Sequence, residues 1–577
     1  MTPTVLLRRV RDHAPGWEDP VRAALPRAAD TVRRRLLAAL CREDIGDARS
    51  RYGAGGRWSA FGHVTFDTAP PVPLAALVPA GGGQLLAELD NAVGNQAIAY
   101  ARHGAAVAAA GPPDPAAGAA LASAATRCPG AAGGPAHPPA GAGRPADRDG
   151  PAAGHPGWGA LGVDAAVAAA ERWAVEGHNL HPCGRTRLGW SVPDVWAHDL
   201  ESPATAVRFV AVPAAAHRGD DVGELLRRAG VPVPQAPAGH VVQPVHAWQW
   251  QRLRRRHGGE LMPLEGSVAA TPTLAVRTLL LAGPARYLKL SLDVQITSTR
   301  RTISAASAHN GPRLSTVLAK ILDGDPAGER ALVLEEPAGA AVPGVGDGRA
   351  ASAIVRDAVA GRLVAGERVW PAAALPAVGP DGRAVVASLV DRFAARYGYG
   401  DAAAAGAAFL VRYARLLLTP VLRLAARYGV GLEAHLQNCL PTFVDGAPHR
   451  MVFRDLAGLR VHRGRLAAAG LACALHPASV VGTDDVGVLR AKVGYTAFQA
   501  HLAEVVRQVV DSHGVEEAAV WAAVRELVDD IAGGDVDHGA WTAPTMPHKA
   551  LVRMRLQGSG DVYVPVPNPL CGAVRRG

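Results

Sequence analysis

Closely spaced cysteines are missing from this 577-residue chain. Its six, Cys41, Cys128, Cys183, Cys439, Cys473 and Cys571, stand far apart and form no CxxC pair. That excludes a disulfide framework and makes a reducing cytoplasm the simplest compartment. The opening stretch, MTPTVLLRRVRDHAPGW, has no sustained apolar run followed by a cleavage site, so no secretory signal is expected. The most apolar region, Ala402–Val421, is interrupted by Arg412 and Arg415 and is not expected to cross a membrane. A Lys/Arg-dense arm, clustered zinc ligands and a helix-turn-helix are also lacking. The net charge of +9 therefore points to nucleotides, phosphates and carboxylates as ligands, and not to nucleic acid. No GxxxxGK[ST] loop occurs, which excludes a P-loop NTPase, and no GxSxG elbow occurs. Gly344–Gly348 is glycine-rich but follows no clear strand and reads as a loop. Internal repeats and heptad runs are absent as well.

What is present reads as a multidomain α+β protein. Residues 1–103 read as mainly helical. Residues 104–157 are largely Ala, Gly and Pro, with PPDPAAGAA and HPPAGAGRPADRDGPAAGHPG, a composition that buries little and breaks helix and strand alike. That segment is expected to be a flexible insertion without chemistry. Residues 158–380 mix helix and strand. In Tyr287–Thr297, Leu288, Leu290, Leu292, Val294 and Ile296 alternate with Lys289, Ser291, Asp293, Gln295 and Thr297, which predicts one strand. Thr273–Leu281 is its expected hairpin partner, joined through 282–285. From 381 to 577 the pattern turns helical again. Phe409, Tyr413, Leu416, Leu417, Val421 and Leu424 share a face, Pro420 is expected to kink or stagger that helix, and Gly429 to end it. Leu432–Gln437 resumes strand-like alternation.

Three groups carry chemistry. The first, Glu176–Gly189, packs His178, His181, Arg185 and Arg187 between glycines, a combination suited to an oxyanion. A basic surface turn and a zinc set of His178, His181 and Cys183 are the other readings. The second is Arg277, Lys289 and Arg301, expected to converge on a sheet face. Three cations there repel one another unless an anion such as a triphosphate, or solvent, lies among them. The third is Glu433, His435, Gln437 and Asn438, followed by Asp455 in Met451–Gly458. An Asp after a short apolar strand is placed to hold Mg²⁺ between phosphates.

In this order the groups resemble the NRPS-independent siderophore synthetases of the IucA/IucC family. The likeness is carried by EGHNLHPCGRTRLG at Glu176–Gly189, YLKLSLDVQITSTRRTISAASAHNGP at Tyr287–Pro312, YGVGLEAHLQN at Tyr428–Asn438 and VFRDLAG at Val452–Gly458. A fifth stretch, KALVRMRLQGSGDVYVPVPNPL at Lys549–Leu570, adds to it. The resemblance implies a cupped-hand α+β architecture: a helical thumb in 1–103, fingers with an antiparallel sheet in 158–380, and an α+β palm in 381–577. It implies that ATP and Mg²⁺ serve a ligase that adenylates a carboxylic acid, often citrate. An amine or hydroxylamine then displaces AMP. It also implies a cytoplasmic homodimer. Carried over by position, His181, Arg185, Arg277, Lys289, Glu433, Gln437, Asn438 and Asp455 would hold ATP, with His181 preferred to His178 for the triphosphate. Arg301 and His435 would meet the substrate carboxylate, and Arg301, His435 and Lys289 would be catalytic. Glu433, Asn438 and Asp455 would bind the metal. Two departures stand out. Arg185 replaces the family's usual Lys. Ala275 replaces a frequent Ser, a loss that Thr273 or Thr278 could make good.

Overall fold

The computed structural model describes residues 2–109, 162–379, 382–558 and 560–572. Helix α1 (Pro3–His13) starts where Thr2 Oγ1 accepts from Val5 N and Pro3 fills the first turn. Helix α2 (Glu18–Glu43) carries Glu18 and Asp19 at its positive end and closes on Asp44 in the left-handed region. Val32, Leu36, Leu37 and Leu40 recur at helical spacing and pack with Leu85 and Leu89 of α3 (Gly83–Ala109). Between these helices lies a short hairpin of β1 (Arg57–Ser59) and β2 (His63–Thr65). Helix α3 runs six residues past 103, and the remainder of the Gly104–Gly157 segment lies outside the described residues.

The middle of the chain forms an eight-stranded antiparallel sheet. Its strands are β3 (Thr205–Pro213), β4 (Arg218–Gly219), β5 (His240–His246), β6 (Met262–Pro272), β7 (Thr278–Leu281) and β8 (Arg286–Leu290), followed later by two more. The single strand expected over Tyr287–Thr297 is in fact two. β8 stays in the large sheet, while β9 (Leu292–Ile296) leaves it to pair with β10 (Thr299–Arg301). Ser291 marks the break. Its hydroxyl donates to Arg349 O and accepts from Ile303 N and Ser352 N, bonds that fix the change of direction. Both faces of β8 are covered, so Lys289 is 1 % exposed and lies on no solvated polar face. The expected hairpin forms, but its first strand begins only at Thr278, because Val276 adopts φ 64 in the turn before it. Helix α4 (Ala305–Gly324) then leads to β11 (Ala331–Val333), and β12 (Ala338–Ala341) and β13 (Ala353–Asp357) complete the sheet in the order β4-β12-β13-β8-β7-β6-β3-β5.

In the C-terminal part, β14 (Arg368–Val369) joins a second sheet, and α5 (Ala402–Tyr428) is the central helix. Asp401 caps its start through Ala403 N and Ala404 N, and Gly429 at φ 66 ends it. It runs unbroken through Pro420, because packing on nearly every side holds it where local bonding is lost. By length and composition it could cross a membrane, but 67 % of its apolar window is buried inside the protein. Strand β15 (Val430–Gly431) follows, then β16 (Cys439–Val444) and β17 (Ala447–Phe453), giving the sheet order β11-β17-β16-β14. The strand expected at Leu432–Gln437 does not form. Ala434 O accepts from His501 Nδ1 and Leu432 O from Thr496 Oγ1, so side chains take the carbonyls a neighbouring strand would use. The alternation survives without a sheet: Leu432, Ala434 and Leu436 are buried, and Glu433, His435 and Gln437 are partly exposed.

Candidate active site

A cavity of about 1020 Å³ opens between the N-terminal helices, the large sheet and the C-terminal part. Arg301, at the end of β10, lines it. Its Nη2 donates to Ile296 O at 3.2 Å and Thr297 Oγ1 at 2.8 Å, and no carboxylate among the described residues pairs with it. Enclosure and the positive charges of Arg277 and Arg187 bring its pKa down to about 10, so it remains a cation at neutral pH. Arg277 lies on the turn before β7 and donates to Arg301 O at 2.9 Å and Thr302 O at 3.0 Å. Lys289 reaches in from β8 and donates to Asp455. The three cations converge as expected, though from a turn, one sheet and a separate hairpin, and not from a shared face.

Asp455 follows β17 in a left-handed conformation, φ 69, which turns its carboxylate back toward the sheet. Arg356 stands 3.6 Å from it. Burial alone would raise its pKa, but Lys289, Arg356 and Arg277 outweigh burial and hold it far below the usual carboxylate range. Burial likewise acts on Glu433, and the ammonium of Lys492, 2.9 Å away, overcomes it and brings the pKa to about 2. Asn438 Nδ2 donates to Glu433 O at 3.2 Å. A Cβ on Gly458 would meet Glu433 Oε2 at 1.8 Å, so only glycine leaves that carboxylate its place. Burial lowers the pKa of His435, partly opposed by Glu433. Its ring lies 6.4 Å from that of His178.

Eight of the expected residues line the cavity: Arg277, Lys289, Arg301, Glu433, His435, Gln437, Asn438 and Asp455. Two do not. His181 is 3 % exposed, with Nδ1 accepting from Cys183 N and Nε2 bound to Ser298 Oγ at 2.7 Å, and burial takes its pKa to about 3. His178, the other histidine of the motif, lines the cavity instead. Its Nδ1 accepts from Leu180 N at 3.2 Å, so the neutral ring carries its proton on Nε2 and offers a donor to the cavity. Arg185 is sealed behind the wall, paired with Glu201 and 3.7 Å from Asp199. Arg187 of the same loop lines the cavity but is bound to Asp199 at 2.9 Å. The glycines serve the loop's own fold, since a Cβ on Gly177, at φ 70, would stand 2.8 Å from Gly184 O. Ala275 lines the cavity; Thr273 and Thr278 do not, and Thr273 Oγ1 is spent on Thr278 O at 2.8 Å.

Sequence reasoning missed one whole wall. Arg27, Thr31, Arg34, Arg35, Ala38 and Arg42 recur at three- and four-residue spacing and present one stripe of α2 to the cavity. That periodicity was readable, but nothing in it said what the stripe faces. Lys492, which holds Glu433, and Arg356, which holds Asp455, had no local signal at all.

Residues 166–377 match the description "IucA / IucC family", and residues 407–563 match "Ferric iron reductase FhuF-like transporter". The chain is 28% identical to "Uncharacterized protein y4xN" of Sinorhizobium fredii over 70% of this chain and 72% of that one. It is 25% identical to the D-ornithine–citrate ligase of Staphylococcus aureus over 69% of each. Among solved structures, petrobactin biosynthesis protein AsbB from Bacillus anthracis superposes with a TM-score of 0.72 at 18% identity, over 96% of this chain and 98% of that one. ATP-bound aerobactin synthetase IucA from Klebsiella pneumoniae does so with a TM-score of 0.67 at 18% identity, over 94% and 99%. The fold is the α+β cupped hand of those proteins.

Proposed function

We propose, from the match of residues 166–377 to the IucA/IucC family, that the chain is an ATP-dependent siderophore synthetase. It joins a small carboxylic acid, citrate first among the candidates, to an amine or hydroxylamine and releases AMP and pyrophosphate. The observation that carries this reading is a guanidinium without a carboxylate, Arg301, gathered with Arg277, Lys289 and the His178 N–H around one cavity. Cations that press on one another in this way favour an anion among them. A relative named as a citrate ligase and an ATP-bound structural neighbour support the choice of reaction.

In the first step an oxygen of the acid attacks the α-phosphorus of ATP. The bond to the bridging oxygen breaks, and pyrophosphate leaves with its electron pair. Arg301 and Arg277 would align the two anions and offset the charge that builds between them. Loss of one such donor costs about 3 kcal/mol of transition-state stabilisation. The Nε2–H of His178 would bond a phosphate oxygen. In the second step the amine nitrogen attacks the acyl carbon, a C–N bond forms, and the C–O bond to AMP breaks. His435, neutral at pH 7 because its pKa is lowered, would accept the amine proton.

Glu433, Asn438 and Asp455 offer the hard oxygen ligands that Mg²⁺ prefers, on two carboxylates that stay ionised. Among the described residues no three His, Cys, Asp or Glu side chains are grouped to hold a metal, so phosphate oxygens would complete its shell. The ion would supply neutralisation of polyphosphate charge. A reductase reading of residues 407–563 lacks the thiolates of an iron–sulfur cluster, because the segment has two cysteines, Cys439 and Cys473, and Cys439 is buried in β16.

Purified protein with Mg·ATP and a panel of carboxylic acids is expected to release pyrophosphate and, with hydroxylamine present, to form an acyl hydroxamate. ADP as the nucleotide product would replace this reading with phosphoryl transfer.

A further inference from the structure

The activation chemistry leaves Arg42 unused. Arg42 lies on the α2 wall of the cavity and is 6 % exposed. Its Nε donates to Gly62 O at 3.3 Å, and its two Nη groups have no hydrogen-bond partner among the described residues. Nearby acids are already engaged. Glu43 accepts from Val552 N at 2.9 Å and Arg553 N at 2.7 Å, and Glu504 accepts from Arg507 and from Gln508 at 3.0 Å. Burial brings the Arg42 pKa down to about 10, which still leaves the guanidinium charged at neutral pH. Beside it, His63 Nδ1 is buried with no hydrogen-bond partner among the described residues. Arg42 and His63 both line the cavity, and a buried cation beside an orphaned polar atom is costly unless a ligand meets them.

The filler should be one planar anion. A guanidinium fork matches a carboxylate with two parallel bonds, and His63 would add a single bond beside it. The polyphosphate already has its own cations in Arg277, Lys289 and Arg301. We propose that Arg42, with His63, is a second carboxylate subsite that receives the amine substrate, and that this amine is amino-acid-like, carrying a carboxylate of its own. The proposal rests on the synthetase reading and adds the class of the nucleophile.

The test uses paired diamines with and without the α-carboxylate: 2,3-diaminopropanoate against ethylenediamine, ornithine against putrescine, and lysine against cadaverine. The wild-type protein should prefer the carboxylate-bearing member of a pair. In Arg42→Gln, KM for that member should rise roughly 10- to 100-fold, with kcat little changed. KM for its decarboxylated partner should hold, and Arg42→Lys should recover part of the loss. Acid-dependent pyrophosphate exchange, measured without any amine, reports whether the variant is folded and whether activation works. A wild-type protein that accepts no carboxylate-bearing diamine overturns the subsite. So does an Arg42→Gln protein with intact exchange that loses both members of a pair equally. Absence of exchange in the wild-type protein with every acid instead overturns the synthetase reading itself.

Discussion

His178 and His181 differ by three positions and by everything around them. Leu180 N fixes the tautomer of His178 and turns its N–H to the cavity, whereas Cys183 N and Ser298 consume both nitrogens of His181. The two should therefore fail in different ways. His178→Ala is expected to lower kcat on the order of 10²-fold, the scale for one donor to developing charge, with Tm nearly unchanged. His181→Ala is expected to lose about 1–3 kcal/mol of stability, because a buried amide and a hydroxyl lose their partner, while the folded fraction keeps its kcat. Steady-state kinetics beside thermal melts separate the cases, and a reversed pattern would return His181 to the site. Both histidines sit among the same residue types, so spacing could not choose between them. The choice lies in which hydrogen bonds the folded loop makes.

At the scale of elements, the working pieces are where regular structure stops. Ser291 ends β8, Asp455 follows β17 with a positive φ, and Leu432–His435 pairs with no strand before a 3-10 turn at Leu436–Asn438. Gly458 belongs to this set. Gly458→Ala is expected to push Glu433 away from Lys492 and raise the KM for Mg·ATP on the order of tenfold, as losses in a metal's supporting shell do. Gly400→Ala, where an added Cβ meets nothing, is the control. Equal KM values for the two proteins would remove Glu433 from nucleotide binding. The alternation of Glu433, His435 and Gln437 was legible in the sequence and correctly marked which side chains stay open. That it makes no strand was not legible, since it depends on His501 and Thr496 arriving from a distant segment.

At the scale of the molecule, burial of neutral histidines sets a pH limit. Burial is the main cause in each case. It takes His181 and His246 to about 3 and His501 to about 4, with His63, His178 and His548 also well below their ordinary 6.5. Below pH 6.5 the unfolded chain binds protons that the native protein refuses, so stability falls as pH drops and is fully present above 6.5. Glu433 and Glu367, both at about 2 against an ordinary 4.5, add to the loss below pH 4.5. In each, neighbouring cations outweigh burial: Lys492 for Glu433 and Arg450 for Glu367. A melting profile should be level from pH 7 to 8, decline from about 6.5 and steepen below 4.5. A level profile down to pH 5 would mean that these histidines titrate normally.

Local chemistry in the sequence was enough to establish the helix end at Gly429, the turn at 282–285 and the polar character of Arg277, Lys289, Arg301, Glu433 and Asp455, because caps, turns and alternation act over a few residues. Which charges face the cavity was decided only when the chain closed. Arg185 and Lys289 are both buried cations, yet Arg185 is paired behind the wall by Asp199 and Glu201 while Lys289 meets Asp455 at its edge. The stripe on α2 gained its meaning the same way, by lying across from the large sheet. A charge's role depends on its partners: Arg185 finds Glu201 only 16 residues along the chain, whereas Lys289 meets Asp455 166 residues away.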